Sequence, residues 1–394
     1  MAYVIKTDTS VFVREEVTEG TYLAPSAASE AVEVLEDGYE STYTRETIAN
    51  TALTGSIEPI ATRIGLPKIG GTIKVYNRAA VKGSVGGAPP SDLFFKSLLG
   101  GKRQITAQVT TKNAGNTTTS LKIEDADIAK FKVGDIIKVN LAGKHELRPI
   151  SAVDSTGGAA AITLPFALEN NPGNSVVIEK ATTYYYANTP SSLSITEFPG
   201  GVIQNKIGGA KIVSGALGNW ETGKVSDWSF KYDALNYDRI VDTPDYAGNF
   251  STLAAPPVTL SACVWIGGTK FAYNAFNLNI ENTAPAIKSA CAASGLLAHR
   301  YTELKVTGEI NPYMESDDVD RYTLFNNNTA TSLFGYAYNN DTSAGEFKEA
   351  TAFWLPAITI TEMPMGDLDK VLTDAIKFSA QKTSGNDTIF LGFI

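Results

Sequence analysis

The feature that most constrains this chain is an order of short patterned segments that occurs twice. The first set runs TIKVYNR (Thr72–Arg78), PPSDLFFKSLLGG (Pro89–Gly101), SSLSITEF from Ser191, and GKVSDWSFKYDA (Gly223–Ala234). The second runs ELKVTGE (Glu303–Glu309), SDDVDRYTLFNNN (Ser316–Asn328), TSLFGYAY from Thr331, and DKVLTDAIKFSA (Asp369–Ala380). Apolar and polar residues alternate in all but the second member of each set, which is the pattern of half-buried strands. Alternating strands resemble one another by chance, and it is the shared order that sets these apart. The chain reads as two copies of one β domain of about 150 residues, the first copy interrupted.

The second member of each set is a short helix. Pro89, Pro90 and Ser91 suit a helix start, and Gly100–Gly101 a stop. Leu93, Phe94, Ser97 and Leu98 fall on one side of it. In the later helix Ser316 and Asp317 are cap candidates, and Tyr322, Leu324 and Phe325 supply the apolar residues.

Between the first helix and Thr182 the character changes. RQITAQVTT, SLKIEDADIAKFKVGDIIKVN, HELRPISAVD, AAAITLPFAL and NSVVIEK are short strands with Gly, Asn and Asp turns between them. This spacing predicts a small closed barrel over 102–181, with its ends close together because it is spliced into another domain. The expected division is 1–101 with 182–250, then 102–181, then 251–394. Residues 1–50 form an arm, with a strand at Val11, Phe12 and Val13 followed by Glu15, Glu16, Glu19 and a Gly20 turn before Tyr22 and Leu23. It is too apolar for a disordered tail and too short for a core of its own, so it is expected to dock on its own domain or on a neighbour.

Enzyme chemistry lacks its parts. Only two histidines (His145, His299) and two cysteines (Cys263, Cys291) occur, which excludes a disulfide framework and a Cys/His zinc cluster. No nucleophile elbow, HExxH, Walker or dinucleotide glycine pattern is present. Glu315, Asp317, Asp318 and Asp320 form the densest carboxylate cluster. It lacks the glycine and distal glutamate of a calcium loop, and suits instead the positive end of the second helix. A net charge of -9 without Lys/Arg clustering argues against a nucleic-acid grip. Trp220, Trp228, Trp265 and Trp354 do not interleave with basic residues, so they are expected in cores or interfaces. With no apolar leader and no long apolar run, the chain is expected to stay in the cytoplasm or be assembled there. No catalytic residue, metal or cofactor is assigned.

A resemblance has residues behind it. TSVFVREEVTEGTYLAPSAASEAVEVLEDG resembles the N-terminal arm of the major tail tube proteins of long-tailed, siphovirus-type bacteriophages. GTIKVYNR with APPSDLFFKSLLGG resembles their strand and helix, and SLSITEF, GGAKIVSGALGNW and GKVSDWSFKY their following strands. The resemblance covers about 1–101 and 182–240, and more loosely ELKVTGEINPY and the SDDVDRYTLF helix. It implies a mainly β fold: two tandem tail-tube β-sandwich domains, each with one short helix, plus the inserted small β-barrel decorating the outside. It implies a structural virion protein whose copies join their inner sheets into rings, here three chains to a pseudo-hexamer, stacked as the phage tail tube. Its implied partners are other copies, a tape measure protein in the lumen, tail-tip and tail-terminator proteins at the ends, and double-stranded DNA passing without specific binding. Assembly would take place in the bacterial host cytoplasm; the arm, through Val11, Phe12, Val13, Tyr22 and Leu23, and the turn-rich linker Thr243–Pro257 are the candidates for ring-to-ring contact. Two other readings stay open: a tail-tip, baseplate or decoration subunit, and a carbohydrate-binding or adhesion module.

Overall fold

A computed structural model describes residues 9–49, 62–79, 87–112, 115–141, 144–156, 160–248, 250, 256, 258–259, 262–292, 294–315, 319–338 and 350–394. The protein is mainly β. Its framework elements, in chain order, are β1 (Ser10–Glu15), β2 (Tyr39–Ile48), β3 (Arg63–Tyr76), α1 (Asp92–Leu99), β4 (Gly100–Ile105), β5 (Ala181–Tyr186), β6 (Leu193–Phe198), β7 (Ile203–Glu221), β8 (Asp227–Ala234) and β9 (Asn236–Val241). The second half continues with β10 (Ala262–Ile266), β11 (Tyr273–Thr283), β12 (Glu303–Pro312), α2 (Val319–Asn326), β13 (Thr331–Tyr338), β14 (Ala350–Glu362), β15 (Met365–Leu368), β16 (Val371–Asp374), β17 (Ile376–Ala380) and β18 (Phe390–Phe393).

Every framework pairing is antiparallel, and one ladder order occurs in both halves. In the first half β2 pairs with β3, β3 with β8, and β8 with the second part of β7. The first part of β7 lies between β6 and β9, and β6 pairs with β1. In the second half β11, β12, β17 and the end of β14 follow the first of these orders. The start of β14 lies between β13 and β18, and β13 pairs with β10. The irregularities match as well. The ladder slips between Ile212 and Ser214 on β7 and between Ile360 and Glu362 on β14. It also slips between Leu193 and Ile195 on β6 and between Thr331 and Leu333 on β13. Long strands that pass from one sheet to another through such bulges make the corners of a sandwich.

Glycines fall at matching places too. Gly71 lies opposite Tyr232 and Gly308 opposite Phe378. A Cβ at either would come within 2.6 Å of the Tyr232 hydroxyl or 2.5 Å of Phe378 Cζ. The ladder register lines the two halves up in a way that differs in part from the sequence match. GKVSDWSFKYDA and DKVLTDAIKFSA are in ladder register, but Thr72 corresponds to Glu309 rather than Glu303. The SSLSITEF match slips likewise, since Leu193 and not Ser191 corresponds to Thr331. Both slips are even-numbered. An even slip leaves an alternating pattern unchanged, so periodicity cannot detect it.

The two halves share one sheet. β7 pairs with β11 from Ser214↔Glu281 to Glu221↔Ala275, giving the continuous order β2–β3–β8–β7–β11–β12–β17–β14. A single apolar core runs beneath it, including Ile73, Phe230, Leu217, Leu278, Ile310 and Phe378. The other sheet of the second half gains strands from the first, because β18 pairs with β5 and β5 with β4.

Among the described residues of 102–181 no closed barrel is found. Strands 109–110, 177–178, 136–141 and 144–149 form one small sheet, and 152–154, 161–163 and 120–122 another. Strands of two or three residues are too short for the tilt and stagger that closure needs. The segment also shares its core with the second half: Phe131, Leu147 and Phe166 cluster with Trp265, Phe334 and Trp354.

α1 is wedged into the core. Phe95 touches Tyr184, Trp228, Phe230 and Phe393 at centroid distances of 5.2, 5.1, 5.3 and 5.0 Å, so it meets both halves. Gly100 ends the helix with φ of 85°, its N–H donating to Lys96 O. α2 lies on the surface, with Tyr322 exposed and Leu324 and Phe325 half-buried against the core.

Candidate assembly surfaces

The continuous sheet ends in two strands whose outer sides carry no framework strand. At one end β2 pairs, among the described residues, only with β3, and most of its residues are exposed. At the other end, β14 pairs with β17 and continues beyond its bulge into β15. There β15 and β16 form a hairpin, Met365↔Asp374 to Leu368↔Val371, turned by Asp369 and Lys370 at positive φ. Met365, Leu368, Val371 and Leu372 are exposed apolar side chains on it. Open strand edges invite pairing with another chain unless they are covered or blocked.

The sequence-assigned arm residues lie inside their own half. β1 pairs with β6 from Ser10↔Phe198 to Glu15↔Leu193. Val11 and Val13 face the core, while Phe12 meets Phe198 edge-on at 5.9 Å. The Glu16 carboxylate then accepts hydrogen bonds from Gly20 N, Ser194 Oγ and Gly209 N at 2.8–2.9 Å. Tyr22 OH is 2.6 Å from Thr196 Oγ1, and Leu23 N donates to Ser194 Oγ at 2.9 Å. Burial raises the Tyr22 pKa. Glu19 extends the arm to the second half. It takes the Lys211 ammonium at 2.9 Å and accepts from His299 N at 2.6 Å.

Among the helix residues, Phe94 and Leu98 are buried, Leu93 is partly buried, and Tyr322 points to solvent. Sequence reading passed over Phe95 and Leu99, both fully buried. Their signal was hydrophobicity alone, because α1 is covered on two sides and a one-face pattern undercounts such a helix.

Glu197 on β6 is a group the sequence did not reveal. It is fully buried, and accepts from Asn205 Nδ2 at 2.8 Å, Ser41 Oγ at 3.2 Å and Tyr232 OH at 3.4 Å. Burial pushes its pKa up to about 7, against the lowering effect of the Asn205 and Tyr232 hydrogen bonds and the nearby Arg239 charge. Ser41 belongs to the edge strand β2, so this carboxyl holds that edge to the sheet behind it.

His299 is buried beside Lys211 and Glu19, and desolvation lowers its pKa. His145 lies on the strand Lys144–Pro149. Cys263 is half-buried and Cys291 exposed, both as free thiols. The side chains of Asp317 and Asp318, like Ser316, lie outside the described residues. Among the described residues no group of three or more His, Cys, Asp or Glu is placed to hold a metal ion. No helix among them is long and apolar enough to cross a membrane.

A family model described as "Phage tail tube protein" matches residues 6–388, so the chain belongs to the phage tail tube protein family. It is a structural component of the virion tail, in a family that self-assembles into tubes. No curated protein matches the chain.

Proposed function

We propose that three copies of this chain close into a ring of six similar β domains, and that rings stack into the tail tube through which DNA leaves the capsid. The observation that carries this reading is the ladder order repeated in both halves with both bulges in place. It supports a duplicated tube domain, with 102–181 as an insertion into the first copy. Two such domains per chain make three chains the natural complement of a pseudo-six-fold ring. The continuous sheet would line the lumen. With a net charge of -9, the chain repels passing DNA over distances up to the Debye length of about 8–10 Å. A tape measure protein would occupy the lumen before ejection, with tail-tip and terminator proteins at the two ends. From Ser10 to Leu23 the arm is paired within its own chain, mostly to its own half and through Glu19 to the second, so any ring-to-ring contact by the arm would use its exposed side.

Negative-stain microscopy of the purified protein tests the reading. Hollow filaments are expected as concentration rises. Isolated closed rings that never stack would favour a tail-tip, baseplate or decoration subunit, and strictly monomeric particles would contradict assembly altogether.

A further inference from the structure

The ring needs an outgoing and an incoming edge, and the chain holds a finished example of that contact within itself. At the junction of the halves Ser214, Ala216 and Leu217 of β7 lie opposite Glu281, Asn279 and Leu278 of β11, and Trp220 lies opposite Phe276. The end of β14 with β15 stands where that part of β7 stands. Ser214 lies opposite Lys231 as Glu362 lies opposite Lys377, and Gly218 opposite Asp227 as Gly366 lies opposite Thr373. Met365 and Leu368 therefore hold the places of Leu217 and Trp220. On the other side, β2 stands where β11 stands, with Ser41 opposite Gly71 as Leu278 is opposite Gly308. Tyr43 and Tyr39 then hold the places of Ile280 and Phe276.

Burial separates the finished junction from the unfinished one. Leu217 and Trp220 are 2% and 1% exposed, whereas Met365 and Leu368 are 72% and 37% exposed. Ile280 is fully buried and Tyr43 is 40% exposed. We propose that β14–β15 of one copy pairs antiparallel with β2 of a second copy in the register of β7 with β11. Glu362 then lies opposite Thr44, Pro364 opposite Thr42, Met365 opposite Ser41 and Leu368 opposite Tyr39.

Pro364 does not block this ladder. Its carbonyl accepts from Ala375 N at 2.9 Å, toward the strand already paired. In an antiparallel pair both polar groups of a residue point the same way, so the N–H that proline lacks belongs to that side. The outward donors are those of Met363 and Met365. The helix contact repeats as well. Asn282 Nδ2 donates to Leu98 O, in the last turn of α1, at 2.8 Å. Arg45 lies opposite Pro67 as Asn282 lies opposite Leu304. Arg45 of the second copy is thereby brought to the last turn of α2, where a cation suits the free carbonyls.

This inference rests on the self-assembly proposed above, and a cysteine pair tests the two separately. Ser41→Cys with Met365→Cys, in a Cys291→Ser background, places thiols on residues expected to lie about 5.5 Å apart at Cα, within disulfide reach. Oxidised filaments are expected to yield linked dimers and trimers on a non-reducing gel, with nothing larger accumulating. Thr42→Cys with Met365→Cys puts the thiols on opposite faces and is expected to link no chains. Filaments without linkage, or with equal linkage in both pairs, overturn the register and leave the tube reading standing. Absence of filaments and of linkage counts against both. Met365→Asp with Leu368→Asp is expected to abolish assembly while the single chain keeps its melting temperature, because both side chains are already exposed. Filaments formed by that variant overturn the proposal.

Discussion

Glu197 shows how much at the scale of one residue depends on long-range placement. Its ligands Ser41, Asn205 and Tyr232 are scattered along the chain, and nothing around TEF in SSLSITEF marks it as special. Its folded pKa of about 7 exceeds the ordinary 4.5. The folded state therefore binds the proton more tightly than the unfolded chain, and this group's contribution to stability falls as pH rises from 4.5 to about 7. Glu197→Gln keeps the neutral shape and removes the cost of burying charge. It is expected to raise the unfolding free energy at pH 8, by an amount of order 3 kcal/mol at most and visible as a higher melting temperature, and to leave it nearly unchanged at pH 4. An equal loss of stability at both pH values would mean that the carboxylate is required for its hydrogen bonds and not strained by burial.

At the scale of elements, the sequence was legible where local chemistry decides. Alternation located the strands, the prolines and glycines bounded α1, and the order of elements was visible twice. Three things were not legible. Ladder register was lost to even slips, since Gly71 and Gly308 are aligned only by the aromatic rings of the adjacent strand. The state of the arm was open because its partners Ser194, Thr196 and Gly209 lie far along the chain. The insertion looked self-contained because sequence does not show that Phe166 lies against Phe334 at 5.3 Å or that Arg148 sits over Trp265 at 5.0 Å. That shared core makes a prediction about the element. Replacing residues 106–180 by a short linker uncovers Trp265, Phe334, Tyr336 and Trp354, so the product is expected to aggregate or to bind a hydrophobic dye strongly. A soluble variant with unchanged melting temperature would show instead that the insertion is only an ornament.

At the scale of the whole molecule, the junction within the continuous sheet and the one proposed between copies are unequal by construction. The one within the chain is reinforced by the β18–β5 pairing, the Asn282 and Tyr301 bonds to the end of α1, and the Lys211–Glu19 knot. The junction proposed between chains has, among the described residues, exposed edges and an apolar hairpin to offer. A ring built this way alternates a permanent junction with an assembled one, and an edge left exposed at both ends of the monomer is covered only on closure. Rotational symmetry in a reconstruction of the filament tests this most directly. Three-fold symmetry with six similar domains around the lumen and three peripheral lobes from residues 102–181 is the predicted result. True six-fold symmetry, with six whole chains in each ring, would contradict it.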